Sequence, residues 1–362
     1  MISGYNGHMT GVFVTAFLFI ASLLSAHPET PYSFDTVISY NYLSEYQQGL
    51  VDRIYESISE HEYYIGFGEE VPEKDLDAAI ENIMFDYPEL FYIDYTYDSY
   101  YYDDETMISD VEFSPVMSER EADAYTVMLF DEAEAILSHM PSYLTDYEKE
   151  LWIYRALAVK IDYSTEDAED YTPAGALLRN KAACEGYAEA LTLLLRLAGI
   201  PCSTVSGTSY DEAHEWNIVR IGDDYTLTDL TLDDMGDYIS YQYFNVTDEI
   251  MERDHQVSEY YKMLPEAVSM KWNWHARNGL IFDSSYDPED LAFMMIDSSA
   301  KTSSPIELRF TSEEAFSAFI SVLDEAYQDY ADSYGDIEYW TVDDPVQLTY
   351  AIEVSLSEES QS

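Results

Sequence analysis

The sequence predicts an α+β fold, and three observations predict it. Apolar residues recur at helical spacing over residues 43–58, 76–85 and 151–161; residues 90–97 form an aromatic, β-branched run; and two strand-like segments flank Gly222-Asp223, a hairpin-turn signal. In chain order, Leu43, Tyr46, Leu50, Ile54 and Ile58 step by three and four, placing one apolar stripe of a helix on a core. A second helix covers 76–85, Tyr87-Pro88 breaks it, and the strand at 90–97 takes Val111-Glu112-Phe113 as its partner. Residues 119–137 are helical, with Pro141 as a boundary. Thr145 and Glu148 have capping-box spacing, so another helix starts there and carries Leu151, Tyr154, Leu157, Ala158 and Ile161. A loop through Pro173 and Gly175 follows. From Lys271 onward the pattern predicts strands at 280–283 and 306–310 and a helix at 312–327.

Charge excludes one function class. With 72 acidic residues against 16 Lys plus Arg, the 362-residue chain has a formal net charge of -56. Such a polyanion repels phosphate, and no basic cluster exists to release counterions from a duplex, so nucleic acid is not a partner. The acid is spread among aromatics, and 35 Tyr residues supply packing area that a disordered acidic chain lacks, so the chain folds and keeps a solvated, acidic surface. Cysteine is confined to Cys184 and Cys202, which rules out a disulfide framework and favours two free thiols. Residues 11–26 form an apolar run ending in Ser25-Ala26, too short to span a bilayer and suited to an export signal, although no Lys or Arg precedes it.

Chemistry concentrates between Cys184 and Asp229. Cys184 opens a segment in which Leu191, Leu194, Leu195 and Ala198 share a helical face and Gly199 supplies the stop. Its thiol therefore sits in a helix's first turn, where free amides and the helix dipole favour thiolate, while Glu185 opposes that effect. Taken alone, Cys184 reads as small apolar filler. The hairpin changes that reading. With Gly222-Asp223 as a two-residue turn, Ile221 faces Asp224, Ile218 faces Leu227 and Trp216 faces Asp229. His214 then shares a face with Asp229 and lies diagonally across from it, roughly 7–8 Å away at the backbone. A turn one residue longer would put the two side chains on opposite faces. Asp229 accepts from one imidazole nitrogen of His214, and the other nitrogen takes the proton of Cys184. The amide at the helix start is the natural donor to an oxyanion. Tyr163, Tyr171, Asn180 and Tyr187 are the candidates for a second donor.

The order Cys, His, Asp now points to a family. Cys184-Glu185-Gly186-Tyr187-Ala188 heading a helix, then Ala198-Gly199-Ile200-Pro201-Cys202 entering a strand, resembles the bacterial transglutaminase-like domain. His214-Glu215-Trp216-Asn217 resembles that family's His-x-Trp-Asn strand, and the stretch from Thr228 to Asp234 its Asp-x-Thr-x-Asp-Asp segment. The residues from Tyr243 to Glu249, with Met251 and Asp254-His255, are similar to the tail that closes the domain in many secreted members. Leu232 stands where the family usually has Trp, and Glu215 where a small residue is common. The resemblance implies a papain-like core, with the Cys184 helix packed on an antiparallel sheet that carries His214 and Asp229; the patterning places α+β regions on both sides of it. It also implies a thioester formed from a glutamine carboxamide or peptide carbonyl, then released to an amine or to water.

The expected organisation is a signal peptide at 1–26, a helical, aromatic-rich region at 27–140, a catalytic domain at 141–256 and an α+β region at 257–362. The expected protein is a secreted or cell-surface cysteine enzyme acting on protein or peptide substrates, membrane-free once its signal is removed, and needing no cofactor. Two other readings compete: a cysteine protease or amidase with the same triad, and an inactive surface protein using the fold as a scaffold. Zinc on Cys184, Cys202 and His214 lacks any paired ligand spacing, and no calcium-loop motif is present. His255 and His275 are taken as surface or capping residues, Trp272 and Trp274 as packing residues, and Asn245-Val246-Thr247 as a formal glycosylation acceptor.

Overall fold

A computed structural model describes residues 32–102 and 107–356. The export signal expected at 1–26 lies outside them. Among the described residues no helix is long and apolar enough to cross a membrane.

The fold is α+β. Helix α1 (Glu45–Ser59) starts at a capping box between Ser44 and Gln47 and buries Leu50, Ile54 and Ile58, whereas Tyr46 faces out from its first turn. Strand β1 (Tyr64–Pro72), helix α2 (Glu73–Asp86), strand β2 (Ile93–Tyr101) and strand β3 (Met107–Pro115) follow, with sheet order β1-β3-β2. Tyr97 pairs with Phe113, as the patterning predicts. Strand β1 is unexpected. Gly66, Gly68 and the Glu69-Glu70 pair obscure its alternation, yet Ile65, Phe67 and Val71 all point into the core.

Helices α3 (Glu119–Ser138) and α4 (Asp146–Lys160) lead to the site; α4 begins at the expected capping box, with the Thr145 N–H donating to Glu148 Oε2 at 2.8 Å. Strands β4 (Asp162–Tyr163) and β5 (Lys181–Ala182) pair in parallel. The stretch between them, expected as loop, holds a 3-10 turn (Ala168–Tyr171) and a π-helical turn (Gly175–Arg179). Helix α5 (Cys184–Leu197) then packs on an antiparallel sheet of order β8-β7-β6-β9, built from β6 (Cys202–Ser209), β7 (Glu212–Ile221), β8 (Asp224–Thr228) and β9 (His255–Val257). Short helices α6 (Leu230–Asp233) and α7 (Asp248–Met251) connect β8 to β9.

Helix α5 is the hub. Leu191, Leu193, Leu194 and Leu195 are all fully buried, between the sheet on one side and α3 and α4 on the other. Burying each contributes ~1.5–3 kcal/mol relative to exposure. The opposite sheet face buries Val205, Trp216, Ile218 and Leu227 against Tyr243, Met251 and Tyr261, so the sheet is covered on both sides and cannot slip in register. Near its far end, α5 is tied to the N-terminal region by Arg196, whose guanidinium meets Asp86 Oδ1 at 2.6 Å with both side chains fully buried.

The C-terminal region contains α8 (Trp274–Asn278), β10 (Ile281–Phe282), α9 (Pro288–Thr302), β11 (Ile306–Phe310), α10 (Glu313–Tyr334), β12 (Ile337–Asp344) and β13 (Thr349–Leu356), with sheet order β10-β11-β13-β12. The strands and helix expected at 280–283, 306–310 and 312–327 are present. Helix α9 and the β12–β13 pair are additional; β12 lies half-exposed at the sheet edge and so carries little apolar alternation.

Three expectations need correction. His255 and His275 are buried, not on the surface. The first is carried inward as β9 docks on β6, and the second has Nε2 2.7 Å from Glu307 Oε1. Asn245 is also fully buried at a positive φ of 55° and donates to Glu150 Oε2 at 2.7 Å, which removes its amide from any glycosylating enzyme once the chain has folded.

Candidate active site

Cys184 is the first residue of α5 and is partly exposed. Ala183, at the cap, offers no side-chain acceptor, so the first-turn amides keep their outward donors, while the Ala183 N–H itself donates to Asp170 O at 2.7 Å. Gly186 allows this turn to nest against the preceding loop: a Cβ there would lie 2.7 Å from Asp170 O and 2.9 Å from both Thr172 O and Ala182 Cβ. Strand β5, ending two residues before Cys184, places Tyr163 opposite Ala182 and so close to the thiol.

The hairpin has the expected two-residue turn, with Gly222 at φ +64° and Ile221 opposite Asp224. Ile218 pairs with Leu227, but the ladder stops at Asn217–Thr228, one pair short of Trp216–Asp229. Asp229 leaves the strand to cap α6: its Oδ1 accepts from the Leu232 N–H at 3.1 Å. Its Oδ2 meets His214 Nε2 at 2.6 Å. The Asp-Asp pair that follows braces this corner. Tyr154 of α4 donates to Asp233 Oδ2 at 2.6 Å and lies 3.0 Å from Asp229 O, while Tyr187 of α5 donates to Asp234 Oδ2 at 2.7 Å. Helix and hairpin are thus held together by the tyrosines of two helices.

Electrostatics follow from the geometry. Burial alone lowers the affinity of His214 for a proton, but the Asp229 carboxylate and then Cys184 override it and hold the imidazolium up to about 10. Asp229 is fully buried, which would raise it; the charge and hydrogen bond of His214, helped by His255, instead hold it well below the usual carboxylate range. Cys202 lies on the sheet beneath α5, fully buried, and burial pushes its thiol up to about 12, so it is an inert core residue. Neither cysteine is in a disulfide.

The structure brings Cys184, His214 and Asp229 together and adds residues that sequence patterning did not single out. His255 Nε2 is the second donor to Asp229 Oδ2, at 3.1 Å. The signal for it was weak, because β9 is only three residues long and pairs across a long connection. Glu215 points toward α5 and is buried; burial, then the charges of Glu185, Glu189 and Cys184, drive its carboxyl well above the usual range. Tyr187, a candidate oxyanion donor, is committed to Ile161 O and Asp234. Tyr163 is mostly exposed and feels the charge of Cys184. As for a metal, one atom each of His214, Asp229 and His255 lie within 4.8 Å of one another, a donor set suited to a divalent cation; the same atoms are engaged in the two hydrogen bonds to Asp229.

Residues 138–235, a range that holds Cys184, His214 and Asp229, match the family model described as the transglutaminase-like superfamily. The match is confined to that stretch, which is similar to the transglutaminase-like superfamily. Two solved structures are distantly similar. One is a candidate cysteine protease from Cytophaga hutchinsonii, 13% identical over 38% of this chain and 61% of that one, with a TM-score of 0.25. The other is described as a TGase, 13% identical over 62% of this chain and 59% of that one, with a TM-score of 0.30. In both cases the match spans less than two thirds of the solved protein. No curated protein matches the chain.

Proposed function

We propose that this protein is an exported cysteine enzyme that forms an acyl thioester on Cys184 from a protein or peptide carboxamide or peptide bond, and passes the acyl group to an amine or to water. The observation that carries the proposal is the convergence of three elements: a cysteine at an uncapped helix start, a histidine held as a cation beside it, and a buried carboxylate 2.6 Å behind that histidine.

The steps follow from these positions. The Cys184 thiolate attacks the carbonyl carbon, and the charge developing on its oxygen is met by first-turn amides of α5. The phenol of Tyr163 supplies a second donor from β4. With Nε2 committed to Asp229, His214 presents Nδ1 to the sulfur and gives its proton to the departing amine, leaving the acyl group on Cys184. In the second half, the neutral ring takes a proton from the incoming amine or water, and the tetrahedral adduct collapses to release the sulfur. Asp229 fixes the ring and stays ionised throughout. The same site serves cross-linking, deamidation and peptide hydrolysis, because only the acceptor differs.

The experiment is a side-by-side assay of the full-length protein with a dansylated amine plus a glutamine-rich acceptor protein, and with an internally quenched peptide. Activity in either assay that vanishes in Cys184→Ala supports the proposal, and the assay that responds identifies the acceptor. Silence in both, with Cys184 alkylated no faster than a free thiol, would favour the scaffold reading instead. Export is tested separately, by locating the chain in medium or on the cell surface with and without residues 1–26.

A further inference from the structure

We propose that His255 is a positioning residue for this triad and that Gln347, from the C-terminal region, holds it in place through Asp254. The inference rests on the functional reading above and extends it to three residues outside the matched 138–235 range.

A continuous hydrogen-bonded chain carries the argument. Gln347 Nε2 donates to Asp254 Oδ2 at 2.7 Å, Asp254 Oδ1 meets His255 Nδ1 at 2.5 Å, His255 Nε2 meets Asp229 Oδ2 at 3.1 Å, and the same Asp229 oxygen meets His214 Nε2 at 2.6 Å. Apart from part-exposed His214, all its members are buried. Gln347 is itself held, since its backbone carbonyl accepts from Arg253 and Arg309 and its side-chain amide also reaches Ile250 O at 3.2 Å.

Both neighbours of His255 are carboxylates with their other acceptor sites filled. Asp254 Oδ2 also accepts from Tyr243 at 2.8 Å and from Tyr210 at 3.2 Å, and Asp229 Oδ1 accepts from Leu232. Each ring nitrogen of His255 therefore faces a carboxylate oxygen at hydrogen-bond distance. The ring is also locked sterically, edge-on to Trp216 at 4.9 Å and to Tyr243 at 5.3 Å. Gly207 permits this fit, because a Cβ there would lie 2.1 Å from Gln256 O and 2.8 Å from Trp216 Cη2, blocking β9 from the sheet. The consequence falls on Asp229. With donors on both sides of Oδ2 and an amide on Oδ1, the carboxylate cannot rotate away from His214, so the ring stays aimed with Nδ1 toward the sulfur.

The test reads the alkylation rate of Cys184 at pH 6, which needs no substrate, in wild type, His214→Ala, His255→Phe, His255→Gln and Gln347→Leu, with thermal melting recorded for each. His255→Phe should slow alkylation by about 10- to 100-fold, the range seen when an outer-shell partner of a functional group is removed. His255→Gln keeps a donor toward Asp229 and should restore most of the rate, and Gln347→Leu should slow it in the same direction but less. A purely structural role would lower the melting temperature of these variants and leave the rate of the folded fraction at the wild-type value; that result, with His214→Ala slow, overturns the proposal and leaves the functional reading standing. If His214→Ala alkylates like wild type, the functional reading fails, and this one with it.

Discussion

Replacing Asp229 by Asn keeps the shape of the corner and removes its charge, so it isolates what the carboxylate does for His214. In the folded protein His214 holds its proton to about 10, against 6.5 for the free side chain. That difference corresponds to a stabilisation of the imidazolium of about 5 kcal/mol, or a factor of roughly 3000. Burial acts the other way and only Cys184 would still favour the charged ring, so without the carboxylate the proton affinity of His214 falls steeply. Near neutral pH the thiolate would then lose much of its counter-charge. We expect Cys184 alkylation at pH 7.5 to slow by about tenfold or more, and turnover to fall by about a thousandfold, because Asn also favours the wrong imidazole tautomer. Iodoacetamide labelling read by mass spectrometry of the Cys184 peptide measures the first effect, with buried Cys202 as a silent internal control. The pair also affects stability, with a defined sign. Because the folded protein binds the His214 proton more tightly than the unfolded chain, the stabilisation is complete below pH 6.5 and is lost as pH rises through about 10. An Asp229→Asn variant that alkylates at the wild-type rate and shows an unchanged pH–stability curve would refute the assignment of Asp229.

Three further outcomes follow from the same structure. Glu150 is fully buried with one hydrogen bond, from Asn245, and burial pushes its carboxyl from 4.5 up to about 8. A raised value means stability that is full below pH 4.5 and lost as pH rises through 8, so Glu150→Gln should gain on wild type by as much as about 4 kcal/mol between pH 5 and 8.5 in urea titrations, and parallel curves would contradict this. Asp86→Ala leaves the Arg196 guanidinium buried without its counter-charge and should cost about 3–5 kcal/mol in the same assay; a loss below about 1 kcal/mol would mean that the link from the N-terminal region to α5 is not a strong one. Gly186→Ala forces a methyl group against the backbone oxygens of Asp170 and Thr172, so it should cost about 1–3 kcal/mol and slow Cys184 alkylation while far-ultraviolet circular dichroism is retained.

Much of the site is written locally in the sequence. The two-residue turn at Gly222-Asp223 sets the β7–β8 register down to Asn217–Thr228, which brings the segment holding His214 alongside the strand end that Asp229 follows. The apolar stripe that starts at Cys184 places the thiol in a first turn. The capping box at Thr145 and Glu148 marks the start of α4 to the residue. What escaped was set by long-range partners. His255 lacked a neighbouring pattern, since its burial comes from β9 docking on β6, whose residues lie about 45 positions earlier in the chain. Asn245 matched a surface sequon and is core, because Glu150 and Thr226 needed its amide. Strand β1 hid behind glycines and glutamates, and β12 behind half-exposed edge positions.

The sequence by itself determined which side chains carry the chemistry and which faces of helix and hairpin they occupy, because helical and strand periods are properties of a few neighbouring residues. The tertiary structure alone decided that Asp229 would turn out of its strand to cap α6, that His255 would stand behind it as a second donor, and that the C-terminal region would reach this corner through Gln347. These contacts join elements whose approach depends on how whole faces pack. No short stretch of residues encodes that free energy.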